Sequence, residues 1–151
     1  MSYTETLAKL GVTLPDAPAP AANYVPAIRS GDLLFVSGQI SNGPDGLIKG
    51  RLGDDMSVED GAAAARACAI SLLAQVKAAC GGDIERLEQV VKLTAFVNCT
   101  PEFEDQPKVV NGASDFLVEA LGDPGRHARS AVGAILPFGV AVEIEGIFRI
   151  K

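Results

Sequence analysis

The stretch from Ser57 to Val97 constrains the fold more than any other part of the chain. Ser57-Val58-Glu59-Asp60 opens it with a hydroxyl suited to capping a helix and an acid three residues on. Ala62, Ala65, Ala69, Leu72, Leu73, Val76, Ala79 and Cys80 then recur at spacings of three and four, which is one face of a helix. Gly81-Gly82 stops it. Beyond the stop, Val91, Leu93, Ala95 and Val97 alternate with Val90, Lys92, Thr94 and Phe96, the period of a strand. A helix whose apolar face is rich in alanine can approach a sheet closely, so this stretch predicts a helix laid against a sheet.

The flanking segments repeat the theme. Ala27-Ile28-Arg29 and Leu33-Leu34-Phe35-Val36 read as strands joined at Ser30-Gly31-Asp32. Asn42-Gly43-Pro44-Asp45-Gly46 is a turn, with a short strand near Leu47-Ile48. A second helix is expected from about Pro107 to Gly122, with Val109, Ala113, Phe116 and Ala120 on one face. Ala128 to Ile135 and Val140 to Ile150 read as strands around Leu136-Pro137-Phe138-Gly139. Residues 2–10 suit a short helix, and Leu14 to Ala22 is a Pro/Ala-rich tether that cannot be helical. The expected organisation is therefore an N-terminal helix and arm over residues 1–20 and one α+β domain over residues 21–151. Its single mixed sheet should carry both main helices on one face, since β-α-β crossovers share one hand. Strand residues of both parities are apolar, so the other face needs a cover, and self-association with closed symmetry supplies one.

Composition excludes several classes of function. A formal charge of −6 without any cluster of Lys and Arg argues against nucleic acid as the main partner. The longest run free of polar side chains, Ala131 to Val142, is too short to span a bilayer, and Met1 to Glu5 does not begin a secretory signal. Cys68, Cys80 and Cys99 form no CxxC pair and leave an odd thiol, which favours a reducing, cytoplasmic setting. One histidine and scattered cysteines give no credible metal set, and no P-loop, GxGxxG or GxSxG is present. Neither metal nor cofactor is expected. Cys68 among alanines reads as core filler; Cys99, at a strand end, is the better-placed thiol but carries no sign of activation.

What remains is charge in an apolar, Gly-rich setting. Gly125-Arg126-His127-Ala128-Arg129-Ser130 puts two cations and an imidazole before an apolar strand, and the small Ala131 and Gly133 leave room beside Arg129. Glu143 and Glu145 interrupt the final strand; alternation alone would let them face solvent. A three-residue loop Pro137-Phe138-Gly139 would pair Leu136 with Val140 and set Gly133 opposite Glu143. Arg129 and Glu143 would then share a face about four residues (~13 Å) apart, with room for a ligand or a neighbouring subunit between them. A loop of two or four residues would place them on opposite faces.

Ser37-Gly38-Gln39-Ile40, Asn111, Arg129-Ser130-Ala131-Val132, Leu136-Pro137 and Glu143-Ile144-Glu145, in that order and spacing, resemble the Rid/YjgF family over roughly Ala21 to Ile150. The stretch Gly125 to Gly133 is similar to the longer, YjgF/chorismate-mutase-like branch. The resemblance implies a chorismate-mutase-like fold and a homotrimer with small-molecule clefts between subunits. It also implies hydrolysis of 2-imino acids to 2-oxo acids and ammonia, with Arg129 holding the carboxylate and Glu143 activating water. Tyr24, Ser37, Gly38 and Asn111 map to positions lining that cleft, and so does Ala131, where many deaminases carry Cys. His127 is a branch feature with either a structural or a ligand-contacting role. The resemblance leaves two other readings: a trimer that binds small carboxylates without turnover, and the endoribonuclease label attached to parts of the family, which the acidic balance disfavours.

Overall fold

The computed structural model describes residues 1–17 and 22–151; the middle of the Pro/Ala-rich tether lies outside the described residues. The elements run α1 (Tyr3–Lys9), β1 (Ala27–Ser30), β2 (Leu33–Ile40), β3 (Asn42–Gly43), β4 (Gly46–Leu47), α2 (Val58–Ala79), β5 (Leu87–Asn98), α3 (Gln106–Leu121), β6 (Ala128–Ala134) and β7 (Val142–Ile150). Five strands form one mixed sheet in the order β1-β2-β7-β5-β6, in which only β5 and β6 are parallel neighbours. Short β3 and β4 make a separate hairpin.

The expected α+β architecture is present, with α2 and α3 packed side by side on one sheet face. Ser57 Oγ accepts from Asp60 N–H at 3.1 Å and so begins α2, which ends at left-handed Gly81 and Gly82. By length and composition α2 could cross a bilayer, yet eleven of its residues are buried inside this domain. The two helices approach so closely that a Cβ on Gly112 would collide with the backbone carbonyl of Ala62. Arg66 of α2 lies over the Phe116 ring of α3, 4.9 Å from its centroid. The α1 helix is docked on the domain: the Glu85 carboxylate accepts from Tyr3 N–H, Thr4 N–H and the Thr4 hydroxyl, and Leu7 is buried.

Among the described residues, no helix covers the opposite sheet face. Cross-strand pairing aligns Ile28, Phe35 and Ile147 in one row and Glu143, Phe96 and Val132 in another. Ile28, Phe35 and Val132 are 58%, 43% and 45% exposed, an apolar load that water does not favour.

The expected β6–β7 hairpin does not form. β5 lies between the two strands, so Gly133 pairs with Val97, and Glu143 pairs with Phe96 and Ile40. Phe138 and Gly139 both adopt left-handed φ (59° and 69°) and carry the chain past the end of β5. There Asn98 N–H donates to Ala141 O (2.8 Å) and Ala141 N–H to Ile48 O (3.0 Å).

Candidate active site

Arg129 pairs with Leu93 and Ala131 with Ala95, both buried under the helices, so Arg129 lies on the helix-bearing face at the edge of the sheet. Glu143, between buried Val142 and Ile144, lies on the open face. The two proposed catalytic groups of one chain are thus on opposite faces, two strand spacings (~10 Å) apart across the sheet. The shared-face register is corrected: inserting β5 changes which residues align.

Each group sits in its own cluster. Arg129 Nη1 donates to Ser114 Oγ at 3.0 Å and Nη2 to Pro107 O at 3.2 Å. Pro107, Asn111 and Ser114 follow one stripe of α3 (i, i+4, i+7), so exposed Asn111 lies between the two anchors of the guanidinium. His127 Nε2 is 2.8 Å from the same Ser114 Oγ, and its Nδ1 is 2.6 Å from Gly125 O. Burial pulls the imidazole below the usual histidine range; the Gly125 bond works against this and the Arg129 charge adds to it. Gly125 is there by necessity, since a Cβ would collide with the Leu117 carbonyl of α3. Ala131 follows Arg129 on the same face, and beside it Gly133 leaves space taken by Cys99 Sγ, which a Cβ would meet at 2.8 Å.

The other cluster is built by a bulge. Between Val36 and Gln39, Ser37 and Gly38 of β2 oppose the single residue Glu145 of β7. Gln39 turns inward and is buried, where its Nε2 donates to Ser37 O at 2.9 Å and its Oε1 accepts from Gln75 Nε2 at 3.3 Å. Gly38 is left facing the Glu143 carboxylate; a Cβ there would collide with Oε2. Burial, followed by the like charge of Glu145, pushes the Glu143 carboxyl above its usual range. The Ser37 hydroxyl donates to Val25 O (2.9 Å), fixing the segment that presents Tyr24, 49% exposed, beside this half.

The residues singled out from the sequence therefore separate into Arg129, Asn111, Ala131 and His127 on one side, and Glu143, Gly38, Ser37 and Tyr24 on the other. Sequence reasoning missed Ser114 and the carbonyls of Pro107 and Gly125. The signal was the polar pair Asn111 and Ser114, one turn apart next to the apolar face of the same helix. His127 contacts Ser114 and Gly125, a supporting place behind Arg129.

Comparison with known proteins identifies the family of the chain. A family model described as "YjgF/chorismate_mutase-like, putative endoribonuclease" matches residues 4–141. Protein TCP17 of Trypanosoma cruzi is 49% identical over 148 residues, covering 96% of this chain and 92% of its own length. A crystal structure of an Agrobacterium tumefaciens protein of unknown function is 46% identical with a TM-score of 0.92, covering 99% of this chain and 92% of that one. A Shewanella oneidensis structure described as a "putative endoribonuclease" is 31% identical with a TM-score of 0.94, covering 99% and 100%. E. coli TdcF with bound serine is more distant, at 26% identity and a TM-score of 0.62 over 89% and 94% of the two chains. By fold and by sequence, the chain belongs to the YjgF/chorismate-mutase-like family.

Proposed function

We propose that the protein is a cytoplasmic homotrimeric hydrolase that converts reactive 2-imino acids to 2-oxo acids and ammonia. Its sites are clefts where Arg129 of one subunit meets Glu143 of the next. The observation that carries this reading is the division of the candidate residues into two half-sites on opposite faces of one sheet. A ring that covers the open apolar face with a neighbour's edge brings unlike halves together. Unpaired Cys68, Cys80 and Cys99 suit a reducing compartment.

The chemistry follows from the two environments. The guanidinium, already tied to Ser114 and Pro107, keeps further N–H groups for two-point binding of a carboxylate. Glu143, with its raised proton affinity, takes a proton from water as the oxygen attacks the iminium carbon. It returns that proton to the nitrogen, and as ammonia departs the freed carboxylate takes the hydroxyl proton while the carbonyl forms. The iminium is already electrophilic, so the route calls for no cofactor. TdcF with bound serine supports a small amino- or oxo-acid ligand for this fold.

Cleavage of RNA fits the residues less well. The net charge is −6, and exposed Lys108 and Arg126 are paired with Asp105 and Asp123.

The test generates 2-iminopropanoate with an amino-acid oxidase and follows its loss by semicarbazide trapping. Wild type should outpace buffer, and Arg129→Ala should lose both turnover and pyruvate binding, with Arg129→Lys recovering little. Glu143→Gln should keep pyruvate affinity but lose turnover by about 10²–10⁴-fold. A wild type that binds pyruvate through Arg129 yet never outpaces buffer is a carboxylate-binding trimer instead.

A further inference from the structure

The hydrogen bonds behind Arg129 have a direction fixed by what each group can do. Gly125 O can only accept, so His127 Nδ1, 2.6 Å away, carries the ring proton. Burial lowers the proton affinity of the ring and favours its neutral form, in which Nε2 is an acceptor. Ser114 Oγ, 2.8 Å from Nε2, therefore donates its single hydrogen to His127. Its lone pairs turn toward Arg129 Nη1, which can only donate, at 3.0 Å. Pro107 O fixes the second arm of the fork through Nη2 at 3.2 Å. The order of donation runs without conflict from Arg129 to Ser114 to His127 to Gly125.

We infer that Ser114 and His127 are positioning residues that hold the Arg129 fork in its carboxylate-binding orientation before ligand arrives, an inference that rests on the carboxylate reading of Arg129 above. An arginine on an edge strand has many rotamers, and ordering it during binding weakens affinity. Ordering it on folding removes that loss from the binding step. His127 serves this purpose without reaching the ligand, because its two ring nitrogens are already engaged by Gly125 and Ser114. Ser114 is the element that transmits the constraint, since its hydroxyl bonds both His127 and Arg129.

The experiment uses pyruvate as the probe and calorimetry as the readout, on wild type, Ser114→Ala, Ser114→Thr and Arg129→Ala. Because His127 is the sole histidine, ¹⁵N NMR reports its tautomer without assignment. The free wild type should show the Nδ1–H tautomer. Ser114→Ala should weaken pyruvate binding about tenfold and shift the ring toward a tautomer mixture, with an unchanged melting temperature. Ser114→Thr, which keeps the hydroxyl, should restore both. An Nε2–H tautomer in wild type overturns the inference, and this measurement needs no variant to fold. So does wild-type affinity in Ser114→Ala beside a crippled Arg129→Ala, which leaves the carboxylate reading standing. Wild-type affinity in Arg129→Ala overturns the carboxylate reading, and the positioning role falls with it.

Discussion

The half-site around Arg129 is held by directed hydrogen bonds, whereas the half-site around Glu143 is held by shape. On the α3–β6 edge, four polar contacts between 2.6 and 3.2 Å fix a guanidinium and an imidazole. On the open face, the carboxylate lies in a space made by a missing Cβ at Gly38 and is half-buried beside Phe96 and Val132 of the same row. The first half is finished within one chain. The second keeps a half-buried acid on a partly apolar surface, the arrangement that the proposed trimer would cover.

The largest expected effect breaks or establishes the division itself. Arg129→Ala and Glu143→Gln chains, each inactive alone, are unfolded together and refolded as mixed rings. If each cleft takes one half from each of two subunits, about a quarter of the clefts in a 1:1 mixture regain both groups. Imine hydrolysis should then reappear at about a quarter of the wild-type rate. No recovery would show that no cleft is completed by Arg129 of one subunit and Glu143 of another.

Substituting one glycine in each half separates activity from stability. Gly38→Ala sets a methyl against the end of a flexible carboxylate, which can swing aside. Turnover should fall about 100-fold because the base is displaced, with little change in the denaturation midpoint. Gly125→Ala sets its methyl against the backbone of Leu117, 2.7 Å from the carbonyl carbon, where nothing can swing. That change should lower stability by about 2 kcal/mol in urea unfolding. Equal losses of activity and stability in both variants would show that the halves do not differ in how they are built.

The sequence made some of this legible and hid the rest for definable reasons. The α2 helix and β5 were legible because their periods of 3.6 and 2 are local properties of consecutive residues. Arg129, His127 and Glu143 stood out because charge in apolar surroundings is rare and needs a reason. Their mutual placement was hidden, because it depends on β5 entering between β6 and β7. Pro137-Phe138-Gly139 carries hairpin-like residues, and nothing local distinguishes a turn between neighbours from a passage over an intervening strand. The bonds that decide the matter, Asn98 to Ala141 and Ala141 to Ile48, join distant segments. Ser114 escaped notice because a lone serine on a helix is ordinary until a guanidinium and an imidazole are found on either side of it.

The smallest expected effect is the sharpest comparison, because the two halves should respond to pH with opposite signs. The Glu143 carboxyl is raised in the folded chain above its ordinary 4.5, so the fold prefers its protonated form. Its contribution is complete below 4.5 and is lost as pH rises through the raised value, since the unfolded chain then binds fewer protons than the folded one. His127 is lowered below its ordinary 6.5, so the fold prefers the neutral ring. Its contribution is present above 6.5 and is lost as pH falls toward the lowered value, because there the unfolded chain binds more protons. Glu143→Gln should therefore raise the melting temperature by about 2 °C at pH 7.5, and this gain should vanish near pH 4. His127→Gln, whose amide can still accept from Ser114, should lose less stability than wild type between pH 6.5 and 5. Melting curves of both variants against wild type across this range isolate each group, since the other titrations cancel in the difference. Parallel curves for Glu143→Gln would mean that the acid is as well solvated as any surface carboxylate. The open face would then be an ordinary surface, and the contrast between the two halves would fail at the carboxylate.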